Sequence, residues 1–244
     1  MTDHKSLERI VPDRIEQSEH TGRETLDLHL ERYRFAASHA HPGRALDCAC
    51  GVGYGTRILA DEGRGVVEAL GVDIDASAID YARERYASPS ATFLRSNLLE
   101  LEVTGSFETV VSLETIEHLP EPEPFVARLV ELLAPGGVLV ASVPTTPSVD
   151  LNPHHLHDFT RASFLALLDR NGLSPVDELV QVQNVSPVAV LRRSEKRMSE
   201  MRKGLVGWYV RHPDALVRRV TATLRHGFVN KYSTFACIRS GDRG

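Results

Sequence analysis

The 244-residue chain is predicted to fold as an α/β protein, a mostly parallel sheet with helices on both faces. Two observations predict it. Short apolar segments alternate with segments of helical period about three turns long, the pattern of right-handed strand–helix–strand units. A glycine-rich turn, Gly51-Val52-Gly53-Tyr54-Gly55, joins the first of these strands to a helix.

The elements follow in order. Residues 1–22 are polar and irregular. Residues 23–39, "RETLDLHLERYRFAASH", have Leu26, Leu30, Tyr33 and Phe35 or Ala37 near helical spacing. Strands are predicted at 44–49, 66–72, 91–95, 107–113 and 137–143, with helices at 54–62, 76–87 and 123–133 between them. "LAPGGVLVASVP" reads as a helix ending at Ala134, a Pro-Gly-Gly turn and a strand. A helix at 161–171, stopped by Asn171-Gly172, precedes a strand at 174–182. Residues 192–226 read as helical, interrupted at Gly204, Gly207 and Pro213, and "KYSTFACI" closes the sheet as a seventh strand. The organisation expected is a cap segment (1–40), a core (41–182), a basic helical insertion before the last strand (183–230), and the last strand with a tail (231–244).

Composition narrows the class. With 42% hydrophobic and 25% charged residues the chain reads as soluble and globular. No run of 18 apolar residues predicts a membrane-spanning helix, and "MTDHKSLERIVPD" lacks an apolar signal core, so a cytoplasmic location is expected. Cys48, Cys50 and Cys237 are too few and too badly spaced for a disulfide framework. Net charge is −5, yet residues 189–226 hold ten Lys and Arg against three Asp and Glu, so the rest of the chain is strongly acidic. That pattern suggests a local anionic partner and argues against a nucleic-acid footprint over the whole molecule.

The glycine turn carries the first chemistry. Gly51, Gly53 and Gly55 permit positive φ and let a ligand lie against bare backbone, and the following helix points free N–H groups at it. The next strand ends in "GVDID". Asp73, 22 residues after Gly51, is placed to take both hydroxyls of a ribose. The Gly-x-Gly-x-Gly spacing differs from the dinucleotide fingerprint and disfavours a nicotinamide dehydrogenase.

Together "LDCACGVGYG", "GVDID", "FETVVSLETIEHL" and "LLAPGGVLVASVP" resemble the class I S-adenosylmethionine-dependent methyltransferases, over about residues 30–182. The resemblance implies a Rossmann-like seven-stranded sheet whose last two strands form an antiparallel hairpin. It implies that the loop holding Ala49, Gly51 and Gly53 lies against the methionine part of the cofactor, that Asp73 binds the ribose, and that Ile74 packs on the adenine. Asn97, beside Leu98, stands where the family usually has Asp for the adenine amino group. Leu113 ends the fourth strand beside the cofactor, and Tyr33 closes over the methionine end. Ala49 replaces a common Gly, tolerable if its φ stays negative. Asp47 is expected near the cationic cofactor, or capping the loop's own N–H groups.

The stretch "LETIEHLPEP" places Glu114, Glu117 and His118 at the carboxyl end of the fourth strand. As one helical turn they would share a face, and like-charged neighbours on one face favour a cation between them. "NPHHLHDFTRASF" follows the fifth strand with His154, His155 and His157. Glu-x-x-Glu-His plus a later His resembles the small-RNA 2′-O-methyltransferases, and the first part resembles the quinone-biosynthesis O-methyltransferases. By that resemblance Glu114, Glu117, His118 and His155 hold a divalent cation such as Mg²⁺ or Mn²⁺, with His118 or Glu117 as proton acceptor. His154 and His157 are left to loop contacts. A metal-free site with His118 as general base stays open. "NPHH-x-x-DF" with "ERY" at Glu31–Tyr33 looks most like bacterial enzymes that methylate glycan hydroxyls. The acceptor expected is therefore a hydroxyl-bearing small molecule or glycan, phosphate- or lipid-linked variants included. The rivals are an RNA or quinone acceptor and a catalytically silent cofactor-binding regulator. The basic insertion would cover the substrate, hold a phosphate-bearing carrier, lie on a membrane surface, or serve as a plain helical cap.

Overall fold

The computed structural model describes residues 10–15, 20–101, 107–184 and 201–242. The part of the predicted insertion at 185–200 lies outside them. Seven strands form one sheet: β1 (Gly43–Cys48), β2 (Val66–Asp73), β3 (Ala91–Arg95), β4 (Phe107–Leu113), β5 (Leu133–Pro144), β6 (Leu173–Asn184) and β7 (Val229–Arg239). Their order is β3-β2-β1-β4-β5-β7-β6. The first five are parallel, and β7 runs antiparallel to both β5 and β6. The helices are α1 (His20–His39), α2 (Tyr54–Glu62), α3 (Ala76–Tyr86), α4 (Pro122–Leu132), α5 (Arg161–Arg170), α6 (Leu205–Arg211) and α7 (Pro213–His226).

Alternation along the strands builds two buried layers. Val110 and Leu139 face one, with Phe107, Leu129, Phe164 and Phe235. Val111 and Val140 face the other, with Tyr33, Ala36, Ala37 and Leu59. The chain turns from the β1–β2–β3 half to the β4–β5 half between neighbours β1 and β4, so a crevice opens at their carboxyl ends.

Three local expectations are corrected. α4 ends at Leu132, not Ala134, and the Pro-Gly-Gly stretch lies within β5. There the pairing jumps from Phe107↔Leu133 to Thr109↔Val138, and Gly136 (φ 69°) lets the extra residues loop out as a bulge. Gly207 lies inside α6, while Gly204 (φ 67°) starts it. The buried stripe of α1 is not the Leu26–Leu30 row: both are half-buried, while Thr25, Arg32, Tyr33, Ala36 and Ala37 are buried. A polar residue turned inward breaks the rule that apolar spacing marks the hidden face, because this helix walls a cavity.

Candidate active site

A cavity of about 640 Å³ opens at the carboxyl ends of the strands. One half is made by the loops after β1, β2 and β3. Ala49 (φ 61°), Gly51 (φ 56°) and Gly53 (φ 90°) turn the chain sharply into α2. Ala49 is thus in the left-handed region, against the expectation of a negative φ, at a cost of roughly 1–2 kcal/mol that glycine would avoid. The carboxylate that caps this loop is Asp73: Gly51 N–H donates to its Oδ2 and Asp75 N–H to its Oδ1, each at 2.9 Å.

Asp47 does not cap the loop's own N–H groups. It is fully buried behind the loop, off the cavity wall, and accepts from the Thr56 hydroxyl at 2.6 Å and the Tyr33 hydroxyl at 3.3 Å. Burial pushes its carboxyl up to about 7, the two hydroxyls oppose that rise, and the negative Asp73 adds to it. Gly53 also turns away from the cavity, since a Cβ there would meet Ala82 and Phe93. Gly55 serves close packing, not positive φ: a Cβ would overlap the Tyr33 ring. Ile74, 68% exposed, lines the cavity with Leu98, Leu113, Tyr33 and Asn97. Asn97 Oδ1 accepts from Leu99 N–H at 3.2 Å and its amide donates to Glu100 at 2.9 Å. Its acceptor oxygen is therefore partly engaged in starting the short turn Leu98–Glu100.

The other half of the cavity holds the acid–histidine group. The expected helical turn is instead a 3₁₀ turn, Ile116–His118, which Glu114 precedes at φ 50°. Glu114 is consequently split from the others. Its Oε1 accepts from the Ser142 hydroxyl at 2.7 Å and lies 3.7 Å from Arg32 Nη1. Glu117, His118 and His155 do come together, with one ligand atom from each lying within 4.8 Å of the rest. Glu117 is fully buried and its Oε1 is 3.9 Å from His118 Nε2. The two imidazoles meet edge to face with centroids 4.7 Å apart. His118 Nδ1 lies 3.2 Å from the His154 carbonyl, a bond only a ring N–H can make, so in the neutral ring Nε2 carries the lone pair. His155 Nδ1 is 2.7 Å from the Ser148 hydroxyl. The His155 loop is held in place by Leu156 N–H donating to the Glu117 carbonyl at 2.9 Å. His157 Nε2 donates to the Leu119 carbonyl at 2.9 Å, and the His154 ring is exposed.

This donor set fits a divalent ion. Ligands 2.0–2.2 Å from a metal lie about 3–4.4 Å from each other, close to the spread found here. Imidazoles whose far nitrogens are bonded to oxygen have the outer support usual for ligating histidines. Two nitrogens and one oxygen suit Mn²⁺, Co²⁺ or Zn²⁺ better than Mg²⁺.

Sequence reasoning missed the polar wall shared by α1 and the β6–β7 hairpin. Arg32 is 1% exposed and donates Nε–H to Gln181 at 2.7 Å. Its guanidinium lies 4.4 Å from the Tyr232 ring centroid. Among the described residues Nη1 and Nη2 find no hydrogen-bond acceptor, and Arg32 lines the cavity. Gln183 donates to Thr25 and accepts from Tyr232, both at 3.1 Å. The signal available was the i, i+7 spacing of Thr25 and Arg32, which puts both on one face of α1.

Residues 46–141 match the family model described as a methyltransferase domain. A solved structure, the N-methyltransferase NodS from Bradyrhizobium japonicum with S-adenosyl-L-homocysteine, superposes with TM-score 0.57 at 17% identity, over 90% of this chain and 89% of that one. The fold is the Rossmann-like one of that methyltransferase, with an antiparallel hairpin ending the sheet. A Mycolicibacterium smegmatis protein described as a probable S-adenosylmethionine-dependent methyltransferase is 35% identical over 150 residues, 58% of this chain and 56% of its own length. The ubiquinone biosynthesis O-methyltransferase of Methylococcus capsulatus is 30% identical over 153 residues, 55% of this chain and 62% of the relative. The chain thus spans little more than half the length of the curated relatives it matches. These similarities support S-adenosylmethionine as cofactor and methyl transfer as the chemistry.

Proposed function

We propose that the chain transfers a methyl group from S-adenosylmethionine to a hydroxyl of a sugar or glycan, with a divalent ion held by Glu117, His118 and His155. The observation that carries this reading is one cavity lined by both an acid-capped glycine loop and a buried Glu–His–His group. The adenosine half fits the loop side, with Asp73 to the ribose and Ile74, Asn97 and Leu98 around the base. The zwitterionic end of the cofactor matches Arg32 and Glu114, opposite charges 3.7 Å apart on the wall. An oxygen acceptor is favoured by the quinone O-methyltransferase among the relatives and by the acid–histidine group. Thr25, Gln183, Asn230 and Tyr232 on the cavity wall supply donors and acceptors suited to a polyhydroxyl ligand.

In the reaction the S–CH₃ bond breaks as the O–CH₃ bond forms, and the hydroxyl proton leaves to the Glu117 carboxylate, whose two oxygens allow one to face an ion and the other to take a proton. A bound divalent ion would lower the pKa of the acceptor hydroxyl by several units. The protein otherwise contributes placement, since the sulfonium methyl is already activated. A cytoplasmic setting goes with this reading; no described helix is long and apolar enough to cross a membrane.

Labelled methyl transfer to a panel of glycans, with and without chelator, tests the proposal. Exhaustive chelation is expected to abolish transfer while cofactor affinity stays, and added Mn²⁺ or Mg²⁺ to restore it. Independently of activity, His155→Ala should weaken Mn²⁺ binding seen by electron paramagnetic resonance about tenfold or more. Full activity in chelator would replace the ion with His118 as a metal-free base.

A further inference from the structure

The segment linking β6 to β7 is attached to the body by its polar side. Arg219 donates Nε–H and Nη2–H to the two oxygens of buried Asp150 at 2.7 and 2.6 Å, and Nη2 also reaches the Pro147 carbonyl. Tyr209 donates its hydroxyl to Asp150 at 2.5 Å, and Arg218 lies 3.4 Å from Asp158. Apolar attachment is thin: no side chain of α6 and only Ala215 of α7 is buried.

The apolar side chains point outward instead. Val206 and Val210, one turn apart in α6, are 81% and 77% exposed. Leu216, Val220 and Leu224 are spaced four apart in α7 and form one stripe with Val217 beside it, and Leu224 is 83% exposed. Phe228, after α7, is 57% exposed. A helix whose polar face is stapled inward and whose apolar face is turned to solvent presents a surface meant for a partner.

We propose that α6 and α7 form a docking surface for an anionic lipid membrane. The charges select this occupant. Lys203, Arg211 and Arg225, on the same segment as the stripe, are exposed, and the one acid between residues 201 and 228, Asp214, is bonded to Arg218 at 2.6 Å. An apolar stripe with a cationic rim matches acyl chains beneath anionic headgroups. A two-fold contact between copies would set the same cations against each other. Docking also brings the cavity to the lipid surface, because Met201 lines it and Arg202 N–H donates to the Leu151 carbonyl on its rim at 2.8 Å. The proposal does not depend on the reaction assigned above.

Flotation of the full chain with phosphatidylcholine vesicles, with and without phosphatidylglycerol, tests it. Binding is expected to the phosphatidylglycerol vesicles and to weaken with salt. Val217→Glu with Leu224→Glu should reduce that binding at least about tenfold, with circular dichroism and melting temperature unchanged. Val210→Glu in α6 should act in the same direction and covers the case in which the double variant does not fold. The proposal is overturned if the chain floats with neither vesicle, or equally with both. It is also overturned if light scattering finds a dimer that the double variant splits, since the stripe would then be a contact between copies.

Discussion

At the scale of single residues the site is built from side chains placed at a cost. Ala49 and Glu114 both have positive φ, at 61° and 50°, and flank the same cavity. Asp47 is a buried carboxyl whose pKa is pushed up to about 7, and that shift has a signed consequence. Because its folded pKa lies above the unfolded value near 4, its contribution to stability is complete below about pH 4 and is lost as pH rises through about 7. Asp47→Asn should therefore flatten the decline of the urea midpoint between about pH 5 and pH 8 relative to the wild type. Equal declines in both proteins would show that Asp47 is ionised with little penalty. The sequence placed Asp73 and the Glu117–His118 pair at strand ends because strand ends can be read from apolar runs. It could not show that Asp73, and not Asp47, caps the loop, because which carboxylate meets an N–H depends on the turn's dihedral angles. For the same reason the spacing alone cannot separate Glu114 from Glu117: an α-turn and a 3₁₀ turn preceded by a left-handed residue have the same spelling.

At the scale of elements, Asp150 joins α6 and α7 to the loop that carries Ser148 and His155. Burial alone would raise its pKa. Hydrogen bonds and charge from Arg219, with help from Tyr209 and Leu151 N–H, outweigh burial and hold the carboxyl below its ordinary range. This stabilisation is present above the usual carboxylate range and fades as pH falls below it. Asp150→Ala leaves the half-buried Arg219 without its carboxylate and should cost about 3–5 kcal/mol. Hydrogen exchange should show the loss as faster exchange in α7 and at Ser148 and Val149, whose N–H groups donate to Asp158 at 2.7 and 3.0 Å. Unchanged exchange in that loop would mean the helices and the His155 loop are held separately. The basic character of this segment was plain from composition. Its attachment was not, because a single Asp distant in sequence gathers an arginine and a tyrosine. The two strands of the β6–β7 hairpin were legible as apolar runs, while their antiparallel pairing was implied only by the resemblance to methyltransferases, and the register from Leu173↔Arg239 to Asn184↔Val229 was not legible.

At the scale of the whole molecule, strand order decides function. Reversal of the strand order between the parallel neighbours β1 and β4 opens a crevice, and the loops after β1 to β4 and after β5 converge there. The alternation of apolar and helical segments made this much legible, while the polar wall of α1 was hidden because inward polar residues look like a solvated face. One binding event underlies every role assigned above, that of S-adenosylmethionine in this cavity. Titration calorimetry of the full chain measures it directly. It should show saturable binding of S-adenosylmethionine and none of NAD⁺. Asp73→Ala should weaken the affinity by about 1.5–3 kcal/mol through lost charge-assisted bonds to the ribose. Arg32→Met should weaken it comparably, because the guanidinium that lines the cavity with unsatisfied N–H groups is removed. No binding heat, or binding that neither substitution changes, would contradict the account.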